Sequence, residues 1–116
     1  MLFVPPPANE DILPQARQGS YFFNRIGRKL TIAIKGRFDF AKHQEFRDAY
    51  EKFGPDTEYV VDLKEATYVD SSALGMLLLL RDHAGGDSSE IRVINSNPDV
   101  LKIFNISNFD KLFDIT

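Results

Sequence analysis

Apolar and polar positions along the chain change rhythm near Ser20. Before it, Pro5, Pro6, Pro7 and Pro14 interrupt a stretch whose apolar residues keep no sustained period, which predicts an extended, mobile arm over residues 1–19. Docking of Met1-Leu2-Phe3-Val4 or Ile12-Leu13 on the domain or on a partner is the alternative for this arm. After Ser20, Tyr21-Phe22-Phe23-Asn24-Arg25-Ile26, a Gly27-Arg28 turn, and the β-branched alternation of Leu30-Thr31-Ile32-Ala33-Ile34 read as a hairpin, whose second strand ends at Gly36-Arg37-Phe38. Asp39 then caps a first helix over about residues 40–53, with Phe46, Ala49, Tyr50 and Phe53 at helical spacing and Gly54-Pro55 as its stop.

Tyr59-Val60-Val61-Asp62-Leu63 has the composition of a central strand. A second helix follows Asp70. Its residues Ala73, Leu74, Met76, Leu77, Leu78, Leu79 and Leu80 leave hardly any polar face before Arg81, so it is expected to lie largely covered until Gly85-Gly86 end it. Ile91-Arg92-Val93-Ile94 makes a further strand, and Asn97-Pro98 opens a third helix with the stripe Val100, Leu101, Ile103 and Phe104. Leu112-Phe113-Asp114-Ile115 supplies a last strand. The order β-β-α-β-α-β-α-β predicts an α/β domain over residues 20–116: a mixed β-sheet with parallel crossover units and helices packed on it.

Composition narrows the function classes. A chain of 116 residues, 43% apolar, is one domain with core enough to fold without metals or disulfides, and it contains no cysteine, which fits a reducing compartment. Fourteen basic residues against seventeen acidic ones, well mixed and without a basic stripe, argue against nucleic acid or an anionic membrane as the main partner. The apolar run at residues 74–80 is far short of the roughly 18 residues a membrane span needs, and nothing at the N-terminus reads as an export signal. A soluble, cytoplasmic protein is therefore expected.

The chemically distinctive stretch is Tyr68-Val69-Asp70-Ser71-Ser72-Ala73-Leu74-Gly75-Met76, where a strand region hands over to an apolar helix. Serines there sit among unpaired backbone N–H groups at the positive end of the helix dipole, a place that accommodates phosphate. Asp-Ser-Ser before an apolar run is also an ordinary capping sequence, and from the residues alone both readings stand. A nucleophilic serine enzyme fits poorly, because a Gly-x-Ser-x-Gly elbow is missing and His83 lies about 18 Å along the same helix from Ser71. His43 and His83 lack metal-ligand spacing, and neither Gly27 nor Gly85-Gly86 matches a nucleotide-binding loop, so no catalysis, metal or cofactor is expected. The stretch Gly36-Arg37-Phe38-Asp39-Phe40-Ala41-Lys42-His43 offers basic and aromatic groups for a contact patch, or is simply a strand-to-helix turn.

Val61-Asp62-Leu63, the Tyr68 to Gly75 motif, Asn97-Pro98 with Leu101-Lys102-Ile103-Phe104, and Asn108-Phe109-Asp110-Lys111-Leu112-Phe113 together resemble the STAS domain of bacterial anti-sigma factor antagonists. Gly36-Arg37-Phe38-Asp39 resembles that family's entry into its first helix, and the likeness runs from about Ser20 to Thr116. Ala73 stands where many relatives have glycine, and the chain stops where many members continue into a final helix. The resemblance implies a non-enzymatic partner-switching protein that binds an anti-sigma factor, itself a serine kinase of the GHKL type, and so frees a sigma factor. It implies phosphorylation at Ser71, which lowers affinity, and reversal by a PP2C-type phosphatase. Ser72 is read as a cap, with a secondary phosphosite as the alternative. Asp70, Ser72, Asp39, Arg37 and Phe38 are the candidate partner-binding residues, with Asp70 and Asp39 also capping their helices. A monomer or weak dimer is expected. The rival class is a STAS scaffold in a larger signalling assembly with no sigma-factor output, as STAS domains also serve in stress-sensing scaffolds and anion transporters.

Overall fold

A computed structural model describes residues 16–17 and 21–116. It forms one six-stranded sheet in the sequential order β1 (Ala16–Arg17), β2 (Tyr21–Ile26), β3 (Lys29–Phe38), β4 (Glu58–Val69), β5 (Glu90–Ile94) and β6 (Asp114–Ile115). The first two pairings are antiparallel; β3 to β6 run parallel. The crossovers are α1 (His43–Tyr50), α2 (Ser71–His83) and α3 (Pro98–Ile106). Each parallel strand is added on the same side of the one before it, so right-handed crossovers place all three helices on one face.

That face carries the core. In β3, Leu30, Ile32 and Ile34 are buried while Lys29 and Lys35 are exposed, the period-two signature of a half-covered strand. Tyr59, Val61, Leu63, Ile91 and Val93 continue this layer on β4 and β5. Phe46, Ala49 and Tyr50 of α1, Ala73, Met76, Leu77 and Leu80 of α2, and Val100 and Phe104 of α3 close over it. Gly27, at φ +60, takes the first central position of the two-residue β2–β3 hairpin, where a left-handed residue is needed.

The boundaries differ from the sequence expectation where tertiary pairing overrides local pattern. The hairpin, the three helices and the central strand form as predicted. The expected arm lies outside the described residues except for Ala16 and Arg17, which add a short edge strand to β2. The strand predicted over residues 59–63 runs on to Val69, because β3 continues alongside it to Phe38 through the pairs Lys35↔Glu65 and Phe38↔Val69. Along this pairing β4 carries one extra residue between Asp62 and Glu65 and another between Ala66 and Tyr68, the second opposite Gly36 (φ +76) and Arg37; these bulges break the period-two alternation of Lys64 to Val69, so the segment lacks a strand's pattern. The helix predicted over residues 40–53 begins as a short 3-10 turn (Phe40–Lys42) and its α-helical part ends at Tyr50. Leu112 and Phe113 are not strand: a 3-10 turn (Phe109–Lys111) precedes them and only Asp114–Ile115 pair with β5. The expectation of a largely covered second helix fails, since Leu78 and Leu79 are exposed.

Gly36 sits at a backbone angle that L side chains rarely adopt, with open space where a side chain would go. Gly36→Ala is therefore expected to destabilise the domain by about 1–2 kcal/mol through strain alone, measured by urea unfolding.

Candidate functional site

Two strand ends converge to build the site. Phe38 and Val69 are paired neighbours in β3 and β4, and the amide of Asp70 donates to the carbonyl of Phe38 at 3.4 Å. The residues that follow, Asp39 and Asp70, therefore lie side by side, and each caps the helical segment it introduces.

Asp70 has extended backbone angles, and one carboxylate oxygen, Oδ1, accepts three hydrogen bonds: from the amides of Ser72 (3.0 Å) and Ala73 (3.1 Å), and from the Ser72 hydroxyl (2.6 Å). The Ser72 hydroxyl bond above all, with the two amides and the nearby Arg37 charge, holds the Asp70 carboxyl below its ordinary range against the opposing effect of burial. Asp70 is thus an ionised cap. Its folded value lies below the unfolded one, so this cap's contribution is complete above the ordinary carboxylate value of about 3.9 and is lost as pH falls through the depressed one. Ser72→Ala is expected to move the Asp70 titration upward in a carboxyl-detected NMR experiment; an unchanged midpoint would remove the hydroxyl as the cause.

Ser71 differs from its neighbour. It is exposed, it is the first residue of α2, and its hydroxyl has no hydrogen bond among the described residues. The free hydroxyl is on Ser71; Ser72, half-buried, has its own committed to Asp70.

Asp39 caps the 3-10 turn through Ala41 N–H at 3.1 Å, and its other oxygen accepts from Arg37 Nε at 3.1 Å. Arg37, with a largely exposed side chain, lays its guanidinium over the Tyr68 ring, 4.2 Å from the centroid, and its carbonyl accepts from Lys42 Nζ. Arg37, Asp39, Asp70, Ser71 and Ser72 are thus brought into one region. Phe38 is not available at its surface. Its side chain is 0% exposed and packs on Phe46, ring centroids 5.2 Å apart, so its proposed partner contact is corrected to a core role. The signal was present: buried positions alternate from Leu30 through Ile34, and two further steps reach Phe38 on the same face.

The exposed ring is Phe40, 67% accessible and stacked on His43 at 5.2 Å. Sequence reasoning included it in the contact stretch without singling it out, although it falls off the stripe of Phe46, Ala49 and Tyr50. Tyr68 is also exposed and was given no role. His83 stays at the far end of α2, hydrogen-bonded to the Phe53 carbonyl and packed on Tyr50 at 5.0 Å. Among the described residues no group of three or more His, Asp or Glu is placed to hold a metal, and no helix is long and apolar enough to cross a membrane.

A parallel four-stranded array with helices on one face, and a capped serine helix at the end of its central strand, defines the STAS class. The STAS profile described as "Mlab, STAS domain" matches residues 22–114, and the chain belongs to the STAS domain family. A STAS-domain containing protein of Pseudomonas aeruginosa (strain UCBPP-PA14) is 62% identical over 91 residues, covering 78% of this chain and 90% of that one. Among solved structures, the anti-sigma factor antagonist SpoIIAA in its unphosphorylated form superposes with a TM-score of 0.60 at 16% identity, over 75% of this chain and 83% of that chain. An anti-sigma factor antagonist from Mycobacterium paratuberculosis reaches 0.70 at 16% identity, over 83% of each chain. At such identities these likenesses establish the fold.

Proposed function

We propose that this STAS protein is an anti-sigma factor antagonist that binds a serine-kinase anti-sigma factor when Ser71 is free and releases it when Ser71 is phosphorylated. The observation that carries the reading is the division of labour between the two serines: Ser72 is tied to Asp70, whereas Ser71 projects from the first turn of α2 a hydroxyl with no hydrogen bond among the described residues. A kinase needs an accessible acceptor, and the adjacent amides and helix dipole tolerate the product phosphate without refolding. The kinase supplies Mg-ATP and the catalytic base, so this chain performs no catalysis, and a PP2C-type phosphatase resets it. Solved forms of SpoIIAA include a phosphorylated one, and the fold similarity extends to it, with a TM-score of 0.61 at 14% identity.

The test is a pull-down with unphosphorylated protein in the native cytosol, followed by mass spectrometry of the captured protein and of Ser71. Recovery of a GHKL-type anti-sigma protein, and its transfer of phosphate from ATP to Ser71 in purified form, supports the assignment. Phosphate only at other sites, or a partner indifferent to Ser71 substitution, counts against it.

A further inference from the structure

A second concentration of polar chemistry lies at the other end of α2, about 18 Å along the helix from Ser71. Arg47, Tyr50 and Glu51 of α1 and its C-cap, and Leu79, Asp82 and His83 of α2, stand at the same i, i+3, i+4 spacing, so each triplet shares one side of its helix. Between the two sides runs a cleft of about 460 Å³, lined by these residues and of a size that suits a small ligand.

Tyr50 supplies the observation that points to an occupant. The residue is only 5% exposed, its ring packed on Phe46 at 5.5 Å and on His83 at 5.0 Å. Its hydroxyl has no hydrogen bond among the described residues and is not sealed from solvent, so its open side is the cleft that Tyr50 lines. Polar groups of buried side chains are normally paired, and nothing within the domain pairs this one. Burial pushes the phenol up from its ordinary range and keeps it a neutral donor, while the charges of Arg47 and Glu51 act on it in opposite senses, which places both beside it.

The surrounding groups define what fits. Glu51 is answered by Arg47 at 3.8 Å, whereas the exposed Asp82 carboxylate has no hydrogen bond or ion pair among the described residues. His83 donates Nε2–H to the Phe53 carbonyl, which leaves Nδ1 as a further acceptor. With one guanidinium against two carboxylates the cleft is net negative, so an anion is disfavoured. Nor do Glu51, Asp82 and His83 form a group that could hold a metal ion, so the positive charge belongs on a larger, organic frame. Leu79, 54% exposed, offers that frame an apolar wall.

We propose that the cleft between α1 and α2 binds an organic cation: an ammonium or guanidinium on a short aliphatic stem, with the charge on Asp82, the stem along Leu79, and a second polar group on the Tyr50 hydroxyl. The site is separate from the Ser71 switch and does not depend on it. A free amine and a basic side chain of another protein carry the same chemistry, and the experiment distinguishes them.

The full chain, isotopically labelled for amide NMR, is titrated to millimolar concentrations with putrescine and agmatine as free amines and with N-acetyl-lysine methylamide as the side-chain probe. Butanediol and butyrate serve as neutral and anionic controls of similar length. The cations are expected to shift amides at residues 47–51 and 79–83, and the controls to leave them in place. Asp82→Asn is expected to weaken cation binding about fivefold, less so at high salt. Tyr50→Phe, which keeps the ring, is expected to weaken it about three- to tenfold with Tm unchanged or raised, because the hydroxyl it removes has no partner. Asp110→Asn, the same charge change at an exposed position away from the cleft, and Ser71→Asp are expected to bind within about twofold of wild type. Tighter binding of the free amines assigns the cleft to a small metabolite, and tighter binding of the capped lysine assigns it to a basic side chain; either supports the site. Absence of cleft shifts with every cation, equal binding by butanediol or butyrate, or cation binding unmoved by Asp82→Asn or by Tyr50→Phe overturns it and leaves the Ser71 switch untouched.

Discussion

Ser71→Asp is expected to bind the anti-sigma factor about ten- to a hundredfold more weakly than wild type, and the phosphorylated protein more weakly still, while Ser71→Ala binds within about twofold. Phosphate brings roughly −1.5 to −2 charges and aspartate brings −1. Within the domain that charge is tolerated. The helix N-terminus favours an anion by about 0.3–1 kcal/mol at an exposed position, and the neighbouring Asp70 and Asp39 repel it. These effects are comparable, so Tm is expected to change by only a few degrees. Against a partner the balance differs, because an uncompensated charge trapped in a closed interface costs several kcal/mol. Isothermal titration of the three forms measures the outcome, and equal affinities for all of them would sink the switch.

Replacing Phe38 and replacing Phe40 with alanine are expected to give opposite results. Phe38→Ala removes a fully buried ring that joins the end of β3 to Phe46, which in turn meets Tyr50 at 5.5 Å and, through it, His83. The loss is about 3–5 kcal/mol of stability, a large share of what a domain of this size possesses, and chemical denaturation should show it directly. Phe40→Ala deletes a ring that covers little besides His43, so stability should stay within about 0.5 kcal/mol. If the Asp39 turn is part of the partner surface, affinity falls for Phe40→Ala with the fold unchanged. A stable Phe38→Ala variant would contradict the core placement of that ring.

The contrast between these two phenylalanines shows how far the sequence could be read. The hairpin, the three helices and their approximate places were legible because each depends on local pattern: β-branched alternation in residues 30–34, capping residues Asp39, Asp70 and Asn97, and the glycines at 27 and 85. The Asp70-Ser71-Ser72 junction was legible for the same reason, since a cap and its first turn are adjacent in sequence. Less legible were the extent of β4, which is set by pairing with β3 rather than by its own composition, and the edge strand at Ala16 and Arg17. The second helix was misjudged because an all-round apolar composition says how much could be buried, not how much neighbouring elements will cover.

Sequence alone determined the class of architecture and the presence of a serine-bearing helix start, because caps, turns and periodicity act over a few residues. Tertiary structure alone decided which serine keeps a free hydroxyl, which phenylalanine meets solvent, and that the Asp39 and Asp70 caps stand together. It also left Leu78 and Leu79 in the open. Those outcomes turn on the parallel register of β3 with β4 and on the core covering one side of α2 only, and both bring together residues distant along the chain.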